Sequence, residues 1–76
     1  MKAHFTCTAR SHYKFYTMEL AQSLFGPAVI RTWGRMGTIG RMRVDVYETW
    51  DDARGAFVRR CAERVKRGYE QEGEHL

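Results

Sequence analysis

A chain of 76 residues, 43% aliphatic or aromatic and 29% charged, has the balance of one small globular domain. That balance excludes a disordered chain, and so small a core leaves little room for an enzyme pocket, because a chain of this size buries only about 60% of the surface its unfolded form exposes. Lys and Arg number 13 against 9 Asp and Glu, a positive balance that attracts polyanions without saying which.

The predicted elements begin with "HFTCTA", whose aromatic and β-favouring residues indicate a first strand from about Ala3 to Ala9. "YKFYTMELAQ" alternates as a half-buried strand does, with Tyr16, Met18 and Leu20 on one side and Phe15, Thr17 and Glu19 on the other. "SLFGPAV" breaks it, since Gly26 tolerates positive φ and Pro27 fixes its own φ and lacks an N–H, so a hairpin turn is expected.

"AVIRTW" is the third strand, with Ala28, Ile30 and Thr32 opposed to Val29, Arg31 and Trp33. "GRMGTIG" follows, and then "RMRVDVYE" alternates again, Met42, Val44 and Val46 against Arg41, Arg43, Asp45 and Tyr47. At "ETWDDARGAFVRRCAERVKRGY" the period changes. Thr49 and Asp52 form a capping pair, Trp50, Ala53, Phe57, Cys61 and Val65 recur at helical spacing, and Gly68 is the stop. Gly55 costs about 1 kcal/mol inside that helix. The expected fold class is α+β, a small antiparallel sheet of four to five strands with one C-terminal helix packed on one face. Residues 1–69 are expected to form the single domain, and residues 70–76, "EQEGEHL", an acidic and disordered tail.

Catalysis finds no support. His4, His12 and His75, with Ser11 and Ser23, show no nucleophile-and-base spacing. Cys7 and Cys61 are 54 residues apart without a metal-ligand pattern, so no metal site is expected and two reduced thiols are. "GRMGTIGR" has neither the ending of a P-loop nor dinucleotide-binding spacing, so no cofactor is expected. Lys2 is followed by "AHFTCTARSH", too polar for a secretion signal, and the apolar runs fall short of a membrane span; the expected location is cytoplasmic, with no membrane partner.

The charge is concentrated elsewhere. From Leu20 to Val44 there are four Arg (Arg31, Arg35, Arg41 and Arg43) and no acid. Trp33 beside them offers a flat face that can stack on a base or sugar, Arg a fork of donors that matches phosphate, and the glycines open the backbone. These are the parts of an electrostatic groove with a stacking platform. The same residues also suit a hairpin that merely packs its Trp, and composition alone leaves both readings open.

"TWGRMGTIG", preceded by "HYKFYTMEL" and followed by "RMRVDVYETW" and "DDARGAFVRRCAERVKRGY", resembles the WGR domain, named for the triplet Trp33-Gly34-Arg35. The resemblance runs from roughly Tyr13 to Tyr69 and joins separated motifs in order. It implies a non-catalytic module that binds nucleic acid, in the DNA-damage-responsive poly(ADP-ribose) polymerases by helping to recognise DNA ends or breaks. Trp33 would then stack at a strand end and Arg35 would lie on the contact surface, with Gly34 keeping the backbone clear between them. The family also occurs alone in bacteria, as it is expected to here.

Two positions depart from the family's pattern: Arg41 stands where Gln is frequent, and Tyr13 where Asn is. The first adds charge to the proposed groove. The candidate nucleic-acid-binding residues are Trp33, Gly34, Arg35, Arg31, Arg41, Arg43 and Lys14, with DNA as the expected partner. The alternative is an adaptor that docks an acidic protein through the same surface. The helix cations, Arg64 among them, are expected to be solvated, and Tyr16 and Tyr47 to pack.

Overall fold

The computed structural model describes residues 1–8 and 13–72 of the chain. Five strands and one helix follow in the order β1 (Lys2–Cys7), β2 (Lys14–Ser23), β3 (Gly26–Arg35), β4 (Arg41–Val46), α1 (Trp50–Lys66) and β5 (Glu70–Gln71). The strands form one antiparallel sheet in the spatial order β4-β3-β2-β1-β5, which gives the expected α+β class. The first strand covers all but the end of its expected range; Ala9, with Ser11 and His12, lies outside the described residues.

The β2–β3 hairpin is the spine of the sheet. Its ten residue pairs run from Lys14↔Arg35 to Ser23↔Gly26. Only Leu24 and Phe25 remain for the turn, and both are exposed. Ser23 holds the turn locally, its Oγ accepting from the Phe25 N–H at 3.2 Å and donating to the Gly26 carbonyl at 2.7 Å.

Residues directly opposite one another share a face, so the register sorts every side chain. Tyr16, Trp33 and Arg41 form one row across β2, β3 and β4; Met18, Arg31 and Arg43 form the next, and Leu20, Val29 and Asp45 the third. The helix covers this side. Ala3, Phe5, Tyr16, Met18 and Val29 of the sheet meet Ala53, Phe57 and Cys61 of α1 in the core. Phe5, Phe57, Met18 and Val29 are the largest fully buried side chains, each worth about 1.5 to 3 kcal/mol of burial. The other face carries Thr17, Ile30 and Thr32 and, on β4, the exposed Met42, Val44 and Val46.

Both helix ends are built as expected. The Thr49 hydroxyl accepts from the Asp52 N–H at 3.1 Å, and Asp51 and Asp52 lie in the first turn. At the other end Gly68, φ +94°, lets the Tyr69 N–H reach the Arg64 carbonyl at 3.0 Å while its own N–H reaches Val65 at 3.1 Å. Of the expected apolar stripe, Ala53, Phe57 and Cys61 are buried, with Ala56 beside them, whereas Trp50 and Val65 at its ends stay 40% and 53% exposed.

One expectation is corrected. Glu70 and Gln71, assigned to a disordered tail, pair with Thr6 and Phe5 as β5. The Gly68 turn reverses the chain onto the open edge of β1, whose backbone groups need partners, and the Glu72 N–H extends the contact to the His4 carbonyl at 2.7 Å. Thr6 Oγ1 also donates to the Glu72 carboxylate. The last four residues of the expected tail lie outside the described residues. Cys7 and Cys61 are unbridged thiols.

Candidate functional site

At the end of the hairpin away from Leu24 and Phe25, β2 begins and β3 finishes, so Lys14 and Arg35 face each other with Trp33 one row inward. The helix finishes at this same end. Lys14, Trp33, Gly34, Arg35 and Tyr69 line a cavity of about 300 Å³. Four of the seven residues expected from sequence therefore come together, joined by Tyr69, which was not among them. Its signal was present in the sequence: an aromatic directly after a helix-stopping glycine is returned by that turn onto the body of the fold.

Trp33 is held from behind. Tyr16 stacks on it with ring centroids 6.3 Å apart and planes at 26°, and the Arg31 guanidinium lies 5.7 Å from its centroid. Tyr16 in turn meets Tyr69 edge-on at 6.2 Å and carries the Arg64 guanidinium at 4.5 Å from its centroid. Arg64, expected to be solvated, thus packs over Tyr16 and, at 5.8 Å, over Tyr69. Its stem reaches back from the last turn of the helix and sets the guanidinium itself over the two phenol rings.

Gly34 serves the loop more than the groove. By the pleat its missing side chain would point to the open face, where a Cβ would stand 2.8 Å from the Gly40 Cα. Gly40, φ +78°, would place a Cβ 2.4 Å from the Trp33 carbonyl oxygen. The two glycines let the loop from Met36 to Gly40 close directly on the strand that presents Trp33. Thr38 secures the bend, donating from Oγ1 to the Arg35 carbonyl at 2.7 Å, and the Met36 N–H donates to the Tyr13 carbonyl at 2.8 Å.

The remaining arginines divide. Lys14, Arg35, Arg41 and Arg43 are exposed, and Arg41 is opposite Trp33 on the same face. Arg31 is different: its side chain is 13% exposed and its Nη2 lies 3.0 Å from Asp45 Oδ2. Arg43 Nε donates to the other oxygen of Asp45, also at 3.0 Å. Arg31 and Arg43 are directly opposite one another, so the carboxylate separates two like charges that would otherwise repel across the strands. Burial opposes the Arg31 charge, but Tyr16 and Asp45 outweigh it and hold the guanidinium pKa above its ordinary value. Arg31 is thereby fixed beneath Trp33, with Asp45, the first acid after the arginine-rich stretch, as its counter-ion.

The arrangement offers a cavity with two aromatic walls, Trp33 and Tyr69, and two cationic side chains, Lys14 and Arg35. Among the described residues no group of three or more His, Cys, Asp or Glu is placed to hold a metal ion, and no helix is long and apolar enough to cross a membrane.

The chain resembles known proteins over most of its length. An uncharacterized protein of Sinorhizobium fredii (strain NBRC 101917 / NGR234), y4dW, is 36% identical over 62 residues, which is 80% of this chain and 30% of that protein. A crystal structure of a Bacteroides fragilis protein superposes with a TM-score of 0.84 at 26% identity, covering 96% of this chain and 20% of the other. The chain spans less than a third of either protein's length. The model of the WGR domain matches residues 1–75, and the chain belongs to that family.

Proposed function

We propose that this WGR domain binds DNA through its backbone and ends rather than its sequence, with the cavity between Lys14, Trp33, Arg35 and Tyr69 as the seat of a terminal nucleotide. Membership in the WGR family supports a nucleic-acid-binding type of module, a binding domain rather than a catalytic one. The observation that carries the reading is the cavity itself: an indole and a phenol ring beside Lys14 and Arg35, at a position where the chain is open to solvent. Stacking at such a platform contributes about 1 to 3 kcal/mol per base, and each phosphate contact ties affinity to salt. Lys14, Arg35 and Arg41 make these contacts, with Arg43 extending the groove along β4. Arg31 positions Trp33 from below.

The test is a titration of blunt-ended, nicked and single-stranded DNA by fluorescence anisotropy at two salt concentrations. Binding that falls with salt and is lost in Trp33→Ala and Arg35→Ala is the expected result. No binding at low salt, or binding that ignores both substitutions, overturns it; retention of one defined protein by the Trp33 surface after nuclease treatment favours the adaptor reading instead.

A further inference from the structure

The two edges of the sheet differ. β5 is a two-residue acidic strand, the short and charged kind of edge that resists pairing. β4 is six residues long, contains no proline, and among the described residues nothing pairs with its outer side. The Tyr47 N–H donates to the Pro27 carbonyl at 2.8 Å, and this bond sets the parity of the strand: Arg41, Arg43, Asp45 and Tyr47 turn their backbone groups to β3. Met42, Val44 and Val46 turn theirs outward, and their side chains are 68%, 44% and 44% exposed on the open face.

We propose that this edge pairs with the same edge of a second copy, antiparallel, about a dyad through Val44. In that register Val44 meets Val44 of the other copy and Met42 meets Val46, so the outward N–H and C=O groups of all three residues find partners. Arg43 then stands opposite Asp45 of the other copy, twice by symmetry, and Arg41 opposite Tyr47. The register centred on Arg43 also sets Arg41 opposite Asp45, but no neighbouring register of the same parity joins that match to freedom from like-charge pairs. Centring on Arg43 or Asp45 sets that residue against itself, and centring on Met42 sets Arg41 against Arg43, all like-charge pairs that destabilise a sheet. The sequence "RMRVDV" is thus self-complementary in one register, the property an isologous interface requires. The dyad is perpendicular to the sheet, so both helices and both Trp33 clusters lie on one side of a continuous sheet. The proposal is independent of what the Trp33 cavity binds.

Sedimentation velocity of the full chain over a wide concentration series tests it. The expected particle has twice the 8.9 kDa mass of the chain. Arg43→Glu, which faces Asp45 with another acid, is expected to raise the dissociation constant about tenfold or more. Val44→Pro, which removes an outward N–H at an edge position where proline is tolerated, is expected to give a monomer with unchanged circular dichroism. Arg43→Glu also ends that residue's own ion pair with Asp45, so its circular dichroism and unfolding midpoint are measured alongside, and with a native fold it serves if Val44→Pro fails to fold. A chain that is monomeric at every concentration overturns the proposal, as does a dimer indifferent to both substitutions. So does a monomer whose β4 amides gain exchange protection only when an acidic, alternating peptide is added, which would make the occupant a peptide strand.

Discussion

Gly34 and Gly40 touch backbone to backbone, so that a Cβ on Gly34 would stand 2.8 Å from the Gly40 Cα. The triplet's glycine is accordingly a loop-closing residue, and a series of alanines should grade with geometry. Gly37, φ +87° with open space around it, should lose about 1 kcal/mol on mutation to alanine. Gly34→Ala should lose about 1 to 3 kcal/mol. Gly40→Ala meets both positive φ and the Trp33 carbonyl and should lose the most, about 3 kcal/mol or more. Denaturant unfolding of the three variants checks the order.

Asp45 joins Arg31 to Arg43, and its removal should be felt as stability. Asp45→Asn leaves two guanidinium groups opposed and is expected to cost about 1 to 3 kcal/mol. Arg31→Met leaves the carboxylate half-buried without its main partner and should cost a similar amount. The double variant should cost less than the sum of the two, by about 0.5 kcal/mol or more. Thermal or urea unfolding of the four proteins in the cycle reads the coupling.

Arg35 and Arg41 should behave in the opposite way. Both are exposed, so alanine at either should leave the unfolding midpoint nearly unchanged. Each should lower the slope of log K against log salt for DNA by about 0.7 to 0.9. A slope unaffected by both changes would place the phosphate path elsewhere on the surface.

Tyr69 closes the cavity with its ring, and the reading depends on the ring rather than the hydroxyl. Tyr69→Ala should weaken DNA binding by about 1 to 3 kcal/mol, with some loss of stability from its contacts with Tyr16 and Arg64. Tyr69→Phe should keep both. Binding lost in the phenylalanine variant would point to a hydrogen bond and against a stacking wall.

Cys61 is buried, and desolvation pushes its thiol pKa up. A group whose folded pKa is raised contributes stability below its unfolded value and loses it as pH rises through the folded one. The stability margin of the native chain over Cys61→Ala should therefore hold at neutral pH and shrink as pH climbs past the ordinary thiol value of about 8.5. Unfolding at several pH values measures the margin.

Much of this architecture was legible because its signals are local. Alternation in "YKFYTMEL" and "RMRVDV", the Thr49 cap, and the Gly68 stop each depend on residues within a turn or a pleat of one another. The Trp33-Gly34-Arg35 triplet and the arginines around it were visible for the same reason. What escaped was set by distant partners: β5 exists because β1 offers it an edge, Arg64 lies on Tyr16 because the helix finishes over β2, and Tyr69 reaches Trp33 because the Gly68 turn brings it back.

The sequence by itself determined the existence and order of four strands and the helix, the family, and the set of cations from which an anion site can be made. Only the tertiary structure decided which of those cations are available. A period of two assigns each strand two faces but does not say which face the helix covers; register and loop closure do that, and they place Arg31 over Asp45 beneath Trp33 while leaving Arg35 and Arg41 in solvent. Charge is a property of composition, but its exposure follows from pairing between residues that the chain keeps far apart.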